Sequence, residues 1–147
     1  MTGIARSIFE ALPGPWTLSR EIEDGRFGAG SFTGTATFDA QPDGALLYRE
    51  EGELTLGAWR GPAWRRWVYA LEEDVLVVRY PGTLAELHSF AFIANSNGGA
   101  SARHVHLCGA DRYEARFEWR DDASFQLAYR VTGPAKDYRL NTFLTRP

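Results

Sequence analysis

Residues 102–119, ARHVHLCGADRYEARFEW, contain the clearest structural signal in this sequence. From Tyr113 to Trp119, apolar and charged side chains alternate strictly. Successive side chains of a β-strand point to opposite faces, so the pattern predicts a strand with one face in a core and one in water. The short connection GADR, residues 109–112, joins it to a second alternating run, and the two runs together predict an antiparallel hairpin.

The same two-residue period recurs along most of the chain. Ahead of the first alternating run, the apolar residues of segment 1–12 have the spacing of a short amphipathic N-terminal helix. Connectors such as DAQPDG and NSNGG are rich in residues that form tight turns. About ten strands in hairpin succession predict an all-β fold, a single up-and-down antiparallel β-barrel domain covering residues 1–147. The predicted strands are 15–22, 30–38, 44–54, 63–71, 74–80, 86–94, 101–108, 112–120, 123–131 and 137–145.

The composition limits the cellular and functional classes. The 147 residues have a formal net charge of -3, with acidic and basic residues interleaved. The sequence therefore has no basic stripe for a nucleic-acid backbone and no polybasic segment for a membrane surface. Its one cysteine, Cys108, excludes an intrachain disulfide and favours a reducing compartment. We expect a cytoplasmic protein that binds neither nucleic acid nor membranes; a homo-oligomer is compatible with the sequence.

A barrel of ten strands has more interior room than one of eight, which side chains just fill. The chain has five Trp, six Tyr and nine Phe residues to line that interior. Apolar walls with a few polar groups are typical of small-molecule pockets. The alternative for any one of these aromatic residues is that it simply fills the core.

Hairpin geometry predicts where the three histidines point. A connection of two or four residues after Cys108 places His104 and His106 on the same face as Tyr113 and Phe117. A five-residue loop at 95–99 would place His88 opposite His106, with Phe90 on the same face. Both hairpins therefore predict histidines inside the barrel.

Three inward histidines fit several kinds of site. His88, His104 and His106 could bind Zn²⁺ or Fe²⁺ with an open position, and Cys108 is a more distant fourth candidate. They could instead contact a ligand or transfer protons, or simply form structural hydrogen bonds. We favour the ligand or proton-transfer roles over a metal, and name no cofactor.

Glu50 is the carboxylate with the most informative position. Alternation in LLYREEGEL, residues 46–54, puts it on one face with Tyr48, and closing the preceding turn aligns both with Ala36 and Phe38. Burial among aromatic residues would raise the pKa of Glu50 and suit it to act as a general base or to bind a polar ligand group. The alternative is a carboxylate paired with an arginine.

Gly14-Pro15-Trp16 opens the first predicted strand, and arginines lie in or after the last one, at Arg139 and Arg146. This resembles the calycin pattern of lipocalins and fatty-acid-binding proteins, in which a tryptophan of the first strand packs under an arginine from the end of the barrel. The resemblance implies a calycin-like barrel closed by Trp16 with Arg139 or Arg146.

Almost the whole chain also resembles a family of small bacterial proteins of unknown function. The matching stretches are GPWTLSREI, LLYREEGEL, HVHLCGADRYEARFEW and VTGPAKDYRLNTFLTR. In that family a histidine corresponding to His88 recurs, as do the runs that match residues 106–113 and 133–138 here. His104 lies outside the pattern, so the resemblance implies a functional pair of His88 and His106 and weakens a three-histidine metal site.

These observations favour a small-molecule-binding barrel. A first alternative is an enzyme that uses His88, His106 or Glu50, with or without Zn or Fe, for acid/base or hydrolytic chemistry. A second is a haem-binding barrel with His88, His104 or His106 as axial ligand. The expected ligand-contacting residues are His88, His104, His106, Tyr48, Glu50, Phe90, Tyr113 and Phe117.

Overall fold

The computed structural model describes residues 3–147 and shows one short helix followed by a single antiparallel sheet. The helix spans less of the N-terminal stretch than the 1–12 expected, and residues 1 and 2 lie outside the described part. The elements are α1 (Ile4–Ala11), β1 (Gly14–Asp24), β2 (Gly28–Ala40), β3 (Leu46–Leu56), β4 (Trp59–Glu72), β5 (Val75–Arg79), β6 (Glu86–Phe90), β7 (Ile93–Ala94), β8 (Ala100–Cys108), β9 (Asp111–Asp121), β10 (Ser124–Gly133) and β11 (Lys136–Thr145).

The order of the strands confirms an up-and-down meander. It runs β6-β5-β4-β3-β2-β1-β11-β10-β9-β8-β7, so the last strand pairs with the first. The two ends of this order, β6 and β7, are joined by residues 91 and 92 alone. A flat sheet of eleven strands cannot have its two ends two residues apart, and the sheet therefore curls into a barrel-like wall.

The strand count corrects the expectation of about ten. The predicted strand 86–94 is divided into β6 and β7, because the chain pairs with β5 as far as Phe90 and with β8 from Ile93. The register between β5 and β6 also shifts between Val78 and Arg79. The pattern of apolar residues at 86–94 gave no sign of this change of partner.

The hairpin registers confirm which residues share the inner face. Glu50 pairs with Ala36 and Tyr48 with Phe38 across β2 and β3. His104 pairs with Ala115 and His106 with Tyr113 across β8 and β9. Ala94 pairs with Ala100, as the five-residue loop predicted.

One half of the interior is filled by apolar side chains, and we call it the closed half. Helix α1 packs across it and buries Ile8 and Leu12 in the same core cluster as Trp16. The ring of Trp16 meets Phe125 edge-on at 4.8 Å between centroids. Burying each such large side chain contributes about 1.5–3 kcal/mol. The other inward residues of the closed half are Phe38, Leu46, Tyr69, Leu76, Phe90, Phe117, Trp119 and Leu144.

Arg146 closes this end of the barrel over Trp16. Its guanidinium carbon lies 3.8 Å from the centroid of the indole. Its terminal nitrogens donate to the carbonyls of Ala11 at 2.6 Å, Pro15 at 2.8 Å and Pro13 at 3.1 Å. The guanidinium therefore ties the end of the last strand to the connection between helix and first strand.

Arg139, the other candidate for this position, lies elsewhere. It is exposed on the outer face of β11, where it pairs with Glu23 of β1. There it lines an outer groove of about 810 Å³. Arg139 is an odd number of positions from Arg146 on an alternating strand, so the two side chains leave opposite faces.

Two paired glycines let the backbones of β2 and β3 approach each other closely. Gly34 and Gly52 pair directly, with both facing inward. A Cβ on Gly34 would lie 2.0 Å from the carbonyl oxygen of Glu51, and one on Gly52 would lie 2.1 Å from that of Thr33. Glycine kinks of this kind produce the strong local curvature that barrel closure needs.

The interior half farther from α1 is open to solvent, and we call it the open half. Its inward-facing side chains are only partly buried, unlike those of the closed half. They include Leu54, Leu56, Trp67, Tyr80, His104, His106, Tyr113, Tyr129, Tyr138 and Leu140. Within residues 3–147, no helix has the length and apolar character of a transmembrane span.

The two arginines at the C-terminal end differ in their expected contribution to stability. Arg146→Ala removes three hydrogen bonds and a cation–π contact, and we expect it to lower the free energy of unfolding by about 2 kcal/mol. Arg139→Ala, the matched control, should change it by less than about 0.5 kcal/mol. Urea unfolding of both variants measures this, and equal losses would contradict the capping role of Arg146.

Candidate functional site

A buried ion cluster lies between the two halves of the interior. Arg20 of β1 is inward because it shares the two-residue period of Trp16 and Leu18. Both of its terminal nitrogens donate to the carboxylate of Glu50 at 2.9 Å. Its Nε donates to the hydroxyl of Thr142 at 2.7 Å, so each of its three nitrogens makes one hydrogen bond. This bidentate geometry is the strongest form of an arginine–carboxylate pair.

Two more side chains complete the ion cluster of Arg20, Tyr48, Glu50, Arg65 and Thr142. The hydroxyl of Tyr48 donates to one carboxylate oxygen of Glu50 at 2.5 Å, and Nε of Arg65 donates to the other. Glu50 is 2% exposed and receives four hydrogen bonds. Its carboxylate is therefore fully partnered inside the barrel.

The ion cluster corrects the expected acidity of Glu50. Burial alone would raise its pKa, but the charges of Arg65 and Arg20 and the hydrogen bonds outweigh burial and hold the pKa below its ordinary value. Glu50 therefore stays ionised at neutral pH and is a poor general base. The same neighbours act on Tyr48, whose pKa is raised by burial and by the Glu50 charge.

Three histidines meet where the two ends of the sheet approach each other. Nδ1 of His88 on β6 lies 2.9 Å from Nδ1 of His104 on β8, so one of these atoms donates to the other. The ring centroids of His88 and His106 are 6.3 Å apart. The expected pairing of His88 with His106 is therefore corrected to His104, because the break between β6 and β7 changes the alignment across the closure.

His88 is the one residue in the described chain with a buried side-chain polar atom that lacks a hydrogen-bond partner. The residue is 0% exposed, and the atom is Nε2. Its neighbours include the rings of Phe90 at 5.5 Å and Tyr129 at 5.4 Å. Burial, followed by the nearby His104 and His106, lowers the pKa of His88 to about 3, so it is neutral at physiological pH.

The two sequence runs shared with the resembled family contact each other at the edge of the open half. Nζ of Lys136 donates to the hydroxyl of Tyr113 at 2.6 Å and lies 3.0 Å from the carboxylate of Asp111. A Cβ on Gly133 would lie 2.0 Å from that carboxylate, so the glycine permits its close approach. The Tyr113 ring lies 6.0 Å from that of His106. Hydrogen bonds with Tyr113 and Asp111 raise the pKa of Lys136.

The structure separates some of the other predicted residues from the site. Phe90 and Phe117 lie in the closed half, where their ring centroids are 5.5 Å apart, and they serve as core rather than as an accessible lining. Cys108 ends β8 at the turn and is exposed, although its register with Asp111 keeps it on the same face as His104 and His106. Within residues 3–147, no three His, Cys, Asp or Glu side chains are arranged to hold a metal ion.

Several interior polar residues were not among the sequence candidates. Arg20, Arg65 and Thr142 belong to the ion cluster, and Tyr129 lies beside His88. Each occupies an inward position in an alternating strand, so the two-residue period could have indicated that its side chain points into the barrel. The alternation within one strand does not show that Glu50, on another strand, provides the counter-charge that lets Arg20 and Arg65 face inward.

The site therefore combines charged and neutral hydrogen-bonding groups. Glu50 is ionised and saturated with donors, and His88 is neutral. Arg65, Tyr129 and the histidines present polar atoms to an interior that also contains leucines and Trp67. This combination suits the binding of an organic molecule.

The charge of Glu50 is expected to be essential for folding. Glu50→Gln keeps the shape but leaves two guanidinium groups without an interior counter-charge, and we expect it to lower the free energy of unfolding by about 3–5 kcal/mol. Glu51→Gln, the exposed neighbour, should change it by less than about 0.5 kcal/mol. Urea unfolding measures both, and a Glu50→Gln protein of unchanged stability would contradict the ion cluster.

The neutral state of His88 makes stability depend on pH. An unfolded histidine takes up a proton below about pH 6.5, whereas folded His88 does so only near pH 3. Stability is therefore fully present above about pH 6.5 and falls as the pH drops toward 3. Between about pH 7 and about pH 5.5, wild type should lose about 1 kcal/mol more than His88→Phe in urea unfolding. Equal losses would show that His88 protonates freely in the folded protein.

Solved structures of similar fold have very different sequences. The S-type phycobiliprotein lyase CPES from Guillardia theta has a TM-score of 0.58 at 11% identity, covering 96% of this chain and 91% of that one. A barrel from the de novo design of a fluorescence-activating β-barrel has a TM-score of 0.51 at 13% identity, covering 100% of both chains. The redesigned barrel mFAP1, solved bound to DFHBI, has a TM-score of 0.50 at 12% identity, covering 95% of this chain and 98% of that one.

Sequence comparison identifies a family for this chain, whereas fold comparison identifies only structures of similar fold. A search of curated proteins finds no match. A family model matches residues 12–146, which includes every strand of the barrel and both runs that meet at Lys136. The chain therefore belongs to the family of unknown function DUF6314.

Proposed function

We propose that this protein binds a small, partly apolar molecule in the open half of its barrel. The observation that carries the proposal is the unpartnered Nε2 of His88, which is buried beside the open half. Leaving a buried polar atom without a hydrogen bond costs about 1–3 kcal/mol, and proteins retain few such atoms. A ligand that hydrogen-bonds to Nε2, once the side chains that cover this atom move aside, would recover this energy on binding.

The lining of the open half supports the same function. Apolar side chains, among them Leu54, Leu140 and Trp67, are inward but only partly buried. Polar atoms from Arg65, Tyr129 and the histidines lie among them. A mostly apolar wall with a few placed polar groups is the usual composition of a small-molecule site.

The fold is compatible with such a role. The similarly folded barrel mFAP1 is described as bound to DFHBI. At 12% identity this likeness concerns the fold alone, and it gives no ligand for the present chain. The ligand class must therefore come from the side chains of the open half.

The enzyme and haem alternatives make different predictions for the purified protein. A zinc or iron enzyme would contain about one metal ion per chain by elemental analysis, lost in His106→Ala. A haem-binding barrel would show a Soret band after expression. Either result would replace the proposed function with the corresponding alternative.

Titration with the uncharged fluorescent probe N-phenyl-1-naphthylamine tests the proposal. We expect saturable binding to wild type with about one site per chain. Ala63→Trp places a large ring on the inner face of β4 and should weaken binding at least about tenfold, because it occupies the open half. Thr33→Trp, on the outer face of β2, is the matched control and should leave binding unchanged.

Two outcomes would contradict this proposal. One is the absence of saturable probe binding to folded wild-type protein. The other is binding that Ala63→Trp and Thr33→Trp affect equally, which would place the probe on the outer surface. Thermal unfolding of each variant establishes that it is folded under the conditions of the titration.

A further inference from the structure

The ion cluster contains more positive than negative charge. Arg20 and Arg65 share the single carboxylate of Glu50, which leaves one positive charge inside the barrel. Arg20 is 7% exposed, and all three of its nitrogens are hydrogen-bonded. Its guanidinium is thus buried and fixed on Glu50 and Thr142, although one N–H of each terminal nitrogen makes no hydrogen bond within residues 3–147.

Arg65 differs from Arg20 in its exposure and in its hydrogen bonds. It contacts Glu50 through Nε, and its two terminal nitrogens donate to no group within residues 3–147. Its side chain lies on the inner face of β4, opposite Glu50, and is nevertheless 38% exposed to solvent. A guanidinium held at Nε presents its terminal pair as a fixed fork that suits a carboxylate or sulfonate.

The surroundings of Arg65 are suited to an amphiphilic molecule. Its guanidinium carbon lies 5.7 Å from the centroid of Trp67. Tyr129, beside His88, is close enough that Arg65 opposes the effect of burial on the tyrosine pKa. Leu54, Leu56 and Leu140 provide the partly buried apolar surface nearer the open end.

We propose that the open half selects an organic anion, whose acidic group binds the terminal nitrogens of Arg65 while its apolar body lies against the leucines and Trp67. This inference rests on the proposed function and adds the class of ligand. The anion neutralises the charge that Glu50 leaves uncompensated. Because the guanidinium is already held by Glu50, little side-chain ordering opposes binding.

Two related probes separate the contribution of the ligand's charge to binding from the contribution of its apolar body. Anilinonaphthalene sulfonate carries an anionic group, and N-phenyl-1-naphthylamine is its uncharged counterpart. We expect Arg65→Met to weaken sulfonate binding at least about tenfold while changing the affinity for the uncharged probe less than about threefold. Arg65→Lys keeps the charge but loses the fork, and it should give an intermediate loss.

Two outward arginines are matched controls. Arg66→Met changes the next residue of the same strand, which packs on Trp64 at the outer face. Arg139→Met replaces an arginine that lines the outer groove. Both should leave sulfonate binding unchanged; a loss in Arg139→Met equal to that in Arg65→Met would place the anion outside and overturn the inference.

Competition on wild-type protein gives a test that needs no variant. Octyl sulfate should displace the uncharged probe at least about tenfold more effectively than octyltrimethylammonium, both below their micellar concentrations. Equal displacement, or equal losses of both probes in Arg65→Met, would overturn the inference and leave the proposed function standing. If wild type binds neither probe, the proposed function itself fails.

Discussion

The geometry of this protein depends on one constraint, which is that the two ends of its sheet are covalently adjacent. β6 and β7 lie at opposite ends of the strand order but are separated by residues 91 and 92 alone. The ten pairings between them must therefore turn through a complete circuit. The inward glycine pair Gly34 and Gly52 supplies part of that curvature, and the approach of β6 to β8 brings His88 against His104.

The closed wall creates an interior that changes in character along its length. Near α1, apolar side chains fill the space and exclude water. Beyond them, the carboxylate of Glu50 neutralises Arg20 and holds Arg65, and further on the inward side chains become accessible. Buried ion pairs contribute little net stability because of desolvation, yet breaking one is costly. In the binding function that we propose, the ion cluster would hold Arg65 in place for the ligand.

The sequence was sufficient to predict the local architecture and most of the pairing. Strict alternation predicts strands, and turn lengths set registers, so the inward positions of Glu50, His104 and His106 were confirmed. The alignment of strands that are not joined by a short hairpin was harder to predict from the sequence. His88 lies nearest His104 because the chain stops pairing with β5 at Phe90 and pairs with β8 from Ile93. The two-residue period within a strand does not show which strand it pairs with. For Glu50, the alternative of a carboxylate paired with an arginine was confirmed, and the raised pKa was wrong because two arginines from other strands lower it.

The contact of Arg146 with the segment around Trp16 also bears on how the chain folds. Arg146 and its acceptor Pro15 are 131 positions apart in sequence, and β1 pairs with β11 along most of its length. Contacts of such separation close a very large loop and form late and slowly. β11 is the last strand to be synthesised, so until then one edge of β1 and the indole of Trp16 lack the partners that they have in the folded protein. Until it arrives, β1 is an exposed edge that another chain could pair with.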